Sequence, residues 1–318
     1  MSDLDDLRDS VRGFFDKHAP LRSDTDVWPR LSTELGLPGL AVAEEHGGSG
    51  GSWLELSVVL EETGRCLLRA PYLSTVVAAA AITGADDLVS RLADGSARAA
   101  LALDGDVQVD GDRVSGTLAQ VVDAVAADVL LVRSGDALYV VEDFTAEPLT
   151  PLDETRPQGR VELSSATARA VGDASRARDL LHVALAAESV GAMQRCLEMT
   201  VAHLKVREQF GRPLGSFQAL RHRVADLTVE AEAAASAAWY AAKAAADNES
   251  HLAVAAPLAK ATAADAFAHV AGETIQLHGG IGFTWEHDAH LFFKSAWTTK
   301  LMHGSSADLR RLAYDRAH

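Results

Sequence analysis

Two short segments of the sequence combine residue types that suit the binding of an anion. The first, Arg207 to Gln218, reads Arg-Glu-Gln-Phe-Gly-Arg-Pro-Leu-Gly-Ser-Phe-Gln. An arginine keeps its charge at every physiological pH, and its planar fork fits a pyrophosphate or a carboxylate. Gly211 is predicted to end the preceding helix, because glycine is common at the position just after a helix. The alternative is an ordinary helix end with a capping arginine.

The second segment, Gln276 to Phe283, reads Gln-Leu-His-Gly-Gly-Ile-Gly-Phe and is apolar and rich in glycine. Glycine has no side chain, so the backbone here can come close to a flat or phosphorylated ligand. The alternative is a helix end followed by a loop. We interpret His278 as a packing or backbone-bonded residue rather than as a catalyst.

The elements around these segments fall into three zones. Residues 1–97 show apolar residues at helical spacing, interrupted by the glycine-dense stretch 44–52, where no helix or strand is expected to persist. Residues 98–172 alternate instead, with a hairpin signal around an Asp-Gly pair. Residues 173–318 are rich in alanine and poor in β-branched residues. That composition predicts long helices that pack closely in a bundle.

Within these zones the patterns predict individual elements. Helices are expected over residues 54–66, 180–205, 220–247 and 252–278. A hairpin is expected over residues 107–114, and strands are expected over residues 129–132, 137–141 and 160–163. The chain is therefore predicted to be mainly helical, with a small β domain between two helical regions.

Composition narrows the class of protein. The 318 residues are 48% hydrophobic and 23% charged, an ordinary globular balance, and the formal net charge is -16. Such a charge argues against nucleic acid or an anionic membrane surface as a partner. The two cysteines, Cys66 and Cys196, indicate neither a disulfide framework nor a metal site. The amino terminus lacks the pattern of a signal peptide, and no apolar run reaches about 18 residues, so we expect a soluble, cytoplasmic protein.

Several motifs together resemble those of the FAD-dependent acyl-CoA dehydrogenases. They are the two segments above and, in the first zone, Leu35-Gly-Leu-Pro-Gly-Leu, Glu45-His-Gly-Gly and Leu60-Glu-Glu-Thr-Gly-Arg. The resemblance extends over nearly the whole chain and is weakest in the β zone. It implies that family's fold, with an N-terminal helical domain, a middle β domain and a C-terminal four-helix bundle. The corresponding domains would be residues 1–97, 98–172 and 173–318.

By this resemblance, both segments would contact the FAD of a neighbouring subunit. The cofactor-binding residues that it implies are Arg207, Gln209, Phe210, Gln218, Gln276, Leu277, His278, Gly279 and Gly280. The family's own-chain flavin contacts have no counterpart, because a Thr-Glu-Pro and Gly-Ser-Asp stretch and a Trp-Ile-Thr element are missing. The contacts offered to a neighbour are thus kept in the sequence, whereas the contacts to the chain's own flavin are lost.

The family's catalytic glutamate also has no glutamate at its position. Counting on from Phe283, the family's Glu-Gly-Thr falls on His303-Gly-Ser. A carboxylate suits this role because its pKa can rise in an apolar pocket, and a histidine could take a proton at neutral pH. We favour the interpretation that His303 is not a base. Some relatives place the glutamate earlier, where this chain has Leu181; Glu188, further along, is interpreted as a structural carboxylate.

The resemblance therefore implies the shortened, base-lacking subunit of an actinobacterial heteromeric acyl-CoA dehydrogenase of the steroid-degrading type. Its partner would be a longer subunit in a heterotetramer, with FAD at the unlike interface. The reaction would be the α,β-dehydrogenation of an acyl-CoA, with electrons passed to an electron-transfer flavoprotein. Two alternatives remain open. One is a self-sufficient homo-oligomeric dehydrogenase with His303 or Glu188 as an atypical base, and the other is a non-enzymatic scaffold subunit.

Overall fold

A computed structural model describes residues 3–105, 107–247 and 250–318 of the chain. Met1 and Ser2, part of the amino terminus in which no signal peptide is expected, lie outside the described residues. The helices are α1 (Asp3–His18), α2 (Trp28–Thr33), α3 (Trp53–Cys66), α4 (Tyr72–Ala81), α5 (Asp86–Ala93), α6 (Ala174–Val206), α7 (Gln218–Ala246), α8 (Leu252–His278), α9 (Ala289–Leu301) and α10 (Ser306–Ala317). The strands are β1 (Ala99–Ala102), β2 (Gln108–Asp110), β3 (Arg113–Val122), β4 (Val129–Ser134), β5 (Ala137–Val141), β6 (Ala146–Pro148), β7 (Gln158–Thr167), β8 (Arg169–Asp173), β9 (Glu208–Gln209) and β10 (Arg212–Pro213).

These elements confirm the predicted class, mainly helical with a small amount of sheet. The four long helices expected from sequence correspond to α3, α6, α7 and α8, and the Asp-Gly hairpin joins β2 to β3. The sequence analysis missed β1, β6 and β8. It also missed a single 3₁₀ turn, Glu44–His46, at the start of the glycine-dense stretch.

The chain divides into two compact units, each assembled from segments that are distant in sequence. The first unit comprises Met1–Arg22, Ser57–Leu68 and Leu185–His318, and the second comprises Ser23–Leu56 and Arg69–Ala184. Helix α6 therefore contributes residues to both. The three-domain division predicted from the sequence stays a prediction.

Two four-stranded sheets belong to the second unit. One has the strand order β1-β4-β5-β8, in which β1 and β4 are parallel and the other pairs antiparallel. The other has the order β2-β3-β7-β6 and is antiparallel throughout. A shared apolar core includes Ala100, Val114, Leu130, Val132 and Val161. Burial of these inward-facing residues is the main force that holds the β region together.

The helices α7 to α10 form most of the first unit. Helix α8 packs against α7, α9 and α10, and the buried positions of α7 and α8 are largely alanine. Small side chains let helix axes approach closely. Helix α6 joins this bundle through Thr200, whose hydroxyl hydrogen-bonds to that of Thr274 on α8 at 3.3 Å. None of the helices in the described ranges is both long and apolar enough to cross a lipid bilayer.

Helix α1 and residues 57–66 of α3 also belong to the first unit, and charged side chains join the two helices. The carboxylate of Glu62 on α3 is buried and accepts hydrogen bonds from Arg12 Nε at 2.9 Å and Arg8 Nη1 at 3.1 Å, both on α1. A buried carboxylate is costly unless it is paired in this way. The arginines on α1 therefore hold α1 against α3.

Candidate functional site

The first candidate segment forms a small hairpin after α6. Strands β9 and β10 pair so that Gln209 lies opposite Arg212, and the two residues between them have positive φ, 54° at Phe210 and 76° at Gly211. The prediction that Gly211 ends the helix is wrong. Helix α6 ends at Val206, and Gly211 instead supplies the left-handed backbone that a two-residue hairpin turn requires.

The side chains of this hairpin point to solvent. Arg207 is exposed, while its backbone N–H donates to the His203 carbonyl at 2.9 Å and its carbonyl accepts from the Leu214 N–H at 2.8 Å. Phe210 is 90% exposed. Gln218 is the first residue of α7 and is also exposed. The backbone of the segment is thus fixed, and its polar side chains are available to a ligand.

The second candidate segment begins where α8 ends, at His278. Gly279 has a φ of 63° and opens a 3₁₀ turn, Gly279–Phe283. A Cβ atom built at Gly279 or at Gly280 would meet no atom within 4 Å, so the backbone of both faces open space. Gln276 is exposed, whereas the side chains of Leu277 and His278 are buried. Only the backbone of Leu277 and His278 is therefore suited to contact a ligand.

Three histidine rings connect the end of α6, which directly precedes the first segment, with the second segment. His203 lies in the last turns of α6, and its ring centroid is 4.5 Å from that of His278. His278 in turn lies 4.3 Å from His287, which precedes α9. The Nδ1 atom of His278 donates to the Thr274 carbonyl at 2.7 Å. We call His203, His278 and His287 the histidine cluster.

The turn between α9 and α10 contains His303, the residue at the position of the family's glutamate. His303 has a φ of 56°, a conformation that is uncommon for residues other than glycine. The buried Lys260 of α8 holds this turn, because its Nζ atom donates to the carbonyls of Met302 and Gly304, both at 2.8 Å. The lysine thus fixes the backbone on either side of His303 by hydrogen bonds.

A second residue of α8 holds the helices on both sides of this turn. The carboxylate of Asp265 pairs with Lys300 of α9 at 2.9 Å and with Arg310 of α10 at 2.8 Å, and it accepts from the Ser306 hydroxyl at 2.8 Å. Burial alone would raise the pKa of Asp265, but these hydrogen bonds lower it. The stabilisation is present above the ordinary aspartate pKa and is lost as the pH falls through the lowered value.

No carboxylate lies within the turn from Met302 to Ser305. The next acidic residue, Asp308, belongs to the cap of α10, where Ser305 Oγ donates to its Oδ2 at 2.5 Å and accepts from its N–H at 3.2 Å. This reciprocal bonding is typical of a helix N-terminus. Asp308 therefore has a structural task.

The remaining candidate groups take structural positions. Glu188 is half-buried on α6, and its backbone carbonyl packs against Gly64 of α3. Burial raises the pKa of Cys196 to about 12, so its thiol stays protonated at neutral pH. Among residues 3–105, 107–247 and 250–318, no three His, Cys, Asp or Glu side chains are grouped so that they could hold a metal ion.

The sequence analysis missed four residues of this region, which are Lys260, Asp265, His203 and His287. A signal existed for Lys260, because it is a charged residue in a helix that is otherwise rich in alanine and strongly apolar. The other three required knowledge of which distant elements meet. The partners of Asp265 and His203 lie between 35 and 75 residues away in the chain, and His287 meets His278 across the turn that follows α8.

Comparison with known proteins identifies the family. Residues 176–318 match the model "Acyl-CoA dehydrogenase, C-terminal domain", and residues 2–88 match "Acyl-CoA dehydrogenase, N-terminal domain". The acyl-CoA dehydrogenase IpdE2 of Mycolicibacterium smegmatis is 35% identical over 320 residues, which cover 96% of each chain. The chain belongs to the acyl-CoA dehydrogenase family, whose members are oxidoreductases, and its cofactor is therefore FAD.

Two solved structures agree with this assignment. A variant of the Tcur3481-Tcur3483 steroid ACAD superimposes with a TM-score of 0.91 at 33% sequence identity, over 99% of this chain and 97% of that one. The ChsE4-ChsE5 complex from Mycobacterium tuberculosis superimposes with a TM-score of 0.91 at 27% identity, over 100% of this chain and 98% of that one. The similarity thus extends over the full described fold.

Proposed function

We propose that this chain is the base-lacking subunit of a heteromeric acyl-CoA dehydrogenase and contributes FAD contacts to a catalytic partner subunit. The observation that carries the proposal is a contrast within the first unit. Arg207 and Gly279–Gly280 are exposed and open to a ligand, whereas the turn at His303 holds no carboxylate. A subunit with this pattern can bind a cofactor, but it lacks the glutamate with which the family removes a substrate proton.

The residues of the two segments suit one edge of an FAD. FAD supplies the hydride acceptor of the reaction in this family. Arg207 would pair with the pyrophosphate, and the open backbone at Gly279–Gly280 permits the close approach of a phosphate or an adenosine. Gln218 and Gln276 have exposed side-chain amides that could donate to the cofactor. Gln209 and Phe210 lie beside Arg207 in the chain, and Leu277 and His278 would act through their backbone.

The names of two structural relatives support the proposed partner and substrate class. Two structural relatives carry two-protein names, Tcur3481-Tcur3483 and ChsE4-ChsE5, which supports a heteromer of this chain with a longer homologue. The expected assembly is a heterotetramer with FAD at the unlike interface. Because one relative is named a steroid ACAD, we infer a steroid-derived acyl-CoA as the substrate. An electron-transfer flavoprotein would receive the electrons.

Replacing Arg207 by alanine tests the cofactor contact directly. In the complex with the longer subunit, we expect Arg207→Ala to weaken FAD binding by about 10–100-fold, because a hydrogen bond to a charged group contributes about 1.5–3 kcal/mol. Bound FAD per complex, measured by absorbance after dilution and gel filtration, is the readout. The matched control is Arg311→Ala, since Arg311 is an exposed arginine of α10 that pairs with Asp315 of the same helix at 3.8 Å. Equal FAD retention in both variants would remove Arg207 from the site.

The two alternatives make different predictions for the same preparations. A self-sufficient dehydrogenase would reduce its own flavin with acyl-CoA in a single turnover, and His303→Gln or Glu188→Gln would abolish that reduction. A scaffold subunit would leave the complex with no FAD at the unlike interface. On the function proposed here, His303→Gln leaves the flavin reduction of the complex unchanged, because the base lies in the partner.

A further inference from the structure

The histidine cluster lies at the junction of the two candidate FAD-contact segments. His203 precedes Arg207 by one helical turn, His278 directly precedes Gly279, and His287 leads into α9. The rings are tilted against each other, by 36° between His203 and His278 and by 50° between His278 and His287. Three elements that are separate in the chain are thus joined through three titratable rings.

The surroundings of His203 and His287 disfavour a positive charge on either ring. Burial is the main cause of a lowered pKa at His203, and the charges of the other two rings and of Arg207 add to it. Burial also lowers the pKa of His287. The other titratable and charged groups that face His287 are His278, Asp288, His290 and Arg22. Asp288 alone acts in the opposite direction on His287, and it already accepts a hydrogen bond from Arg22 Nε at 2.7 Å.

We propose that the histidine cluster positions the two FAD-contact segments, holding them together while the rings of His203 and His287 are uncharged and separating them when those two rings take up protons. The effect on FAD rests on the function proposed above. The central ring, His278, is 5% exposed, and its Nδ1–H donates a hydrogen bond to the Thr274 carbonyl. Protons on both His203 and His287 would place two positive charges against the two sides of this buried ring, and like charges repel.

The direction of the pH dependence follows from the lowered pKa values. A histidine whose pKa is lower in the folded state than in the unfolded state binds fewer protons when folded. The two FAD-contact segments are therefore held together fully above the ordinary histidine pKa of about 6.5. It is lost as the pH falls from there through the lowered values of His203 and His287.

Hydrogen exchange of the full chain tests the proposal. At about pH 5.5 the backbone of residues 279–287 should open about tenfold more often than at about pH 7.5, after correction for the intrinsic exchange rate. The double variant His203→Phe/His287→Phe keeps the ring contacts and removes two titrating groups, so its opening should not change with pH. The control His269→Phe alters an exposed histidine of α8 that pairs with Glu230, and it should respond as the wild type does.

Several outcomes would overturn the proposal. One is that the wild type opens equally often at both pH values. Another is that the double variant opens more often at the lower pH, to the same extent as the wild type. If the double variant does not fold, NMR titration of the wild-type rings decides, because a pKa of His203 and His287 at or above about 6.5 contradicts the proposal.

The complex with the longer subunit separates this proposal from the proposed function. We expect the wild-type complex to lose FAD at the lower pH and the double variant to retain it. Opening of residues 279–287 without loss of FAD would support the positioning role of the cluster and contradict the cofactor contact. Loss of FAD without opening would overturn the role of the cluster.

Discussion

Alanine at Gly191 or at Gly64 is expected to destabilise the protein by about 3 kcal/mol or more. Helices α3 and α6 cross so closely that a Cβ atom at Gly191 would overlap the backbone carbonyl of Glu61, and a Cβ atom at Gly64 would overlap that of Glu188. A backbone carbonyl inside a helix cannot move aside as a flexible side chain can. The helices must separate, and they would lose packing contacts and buried apolar area along the crossing.

Thermal and denaturant unfolding of the full chain measure this effect. The matched control is Gly13→Ala on α1, where a Cβ atom would meet nothing within 4 Å. Alanine favours a helix over glycine by about 0.8–1 kcal/mol, so the control should be unchanged or slightly more stable. If Gly191→Ala and Gly64→Ala unfold like the control, the close crossing of α3 and α6 is wrong.

Replacing Lys260 by methionine is expected to cost about 2–4 kcal/mol. The side chain of Lys260 is 1% exposed, and its ammonium donates to the carbonyls of Met302 and Gly304. Carbonyls just beyond the end of a helix lack intrahelical partners, and a cation there also interacts favourably with the helix dipole. Methionine has a similar length but no donor, so both carbonyls would lose this partner in a largely buried site.

The effect of Lys260→Met should be local as well as global. Hydrogen exchange should show faster opening of residues 302–309 than of the rest of the bundle, and unfolding should report the loss of stability. Lys243→Met is the control, since Lys243 is an exposed lysine of the same kind of alanine-rich helix. A turn that stays protected in Lys260→Met would show that the lysine does not hold it.

Local sequence patterns were sufficient for helices α3, α6, α7 and α8. Alanine-rich stretches with helical spacing gave α6, α7 and α8, and the Asp-Gly pair gave the turn between β2 and β3. Strand β1 was missed because its four residues, Ala99–Ala102, are buried on both faces and show no alternation. It pairs in parallel with β4, and a parallel partner is not adjacent in sequence.

Less of the candidate site than of the fold could be predicted from the sequence. The motif at Arg207 indicated a cation and a glycine, yet the glycine's task in a hairpin turn depends on Phe210 also taking a positive φ. The role of Lys260 depends on a turn more than 40 residues away. The histidine cluster likewise joins three elements that no local pattern connects. Patterns of residue type identified which groups to consider, and tertiary packing decided which of them meet.

The most direct test of the proposed function compares the flavin content of the chain alone with that of the chain co-expressed with its longer homologue. The proposal predicts that the chain alone is colourless or weakly yellow and does not oxidise acyl-CoA. The co-purified heterotetramer should contain FAD and turn over. Stoichiometric FAD and rapid acyl-CoA oxidation by the chain alone would contradict the proposal.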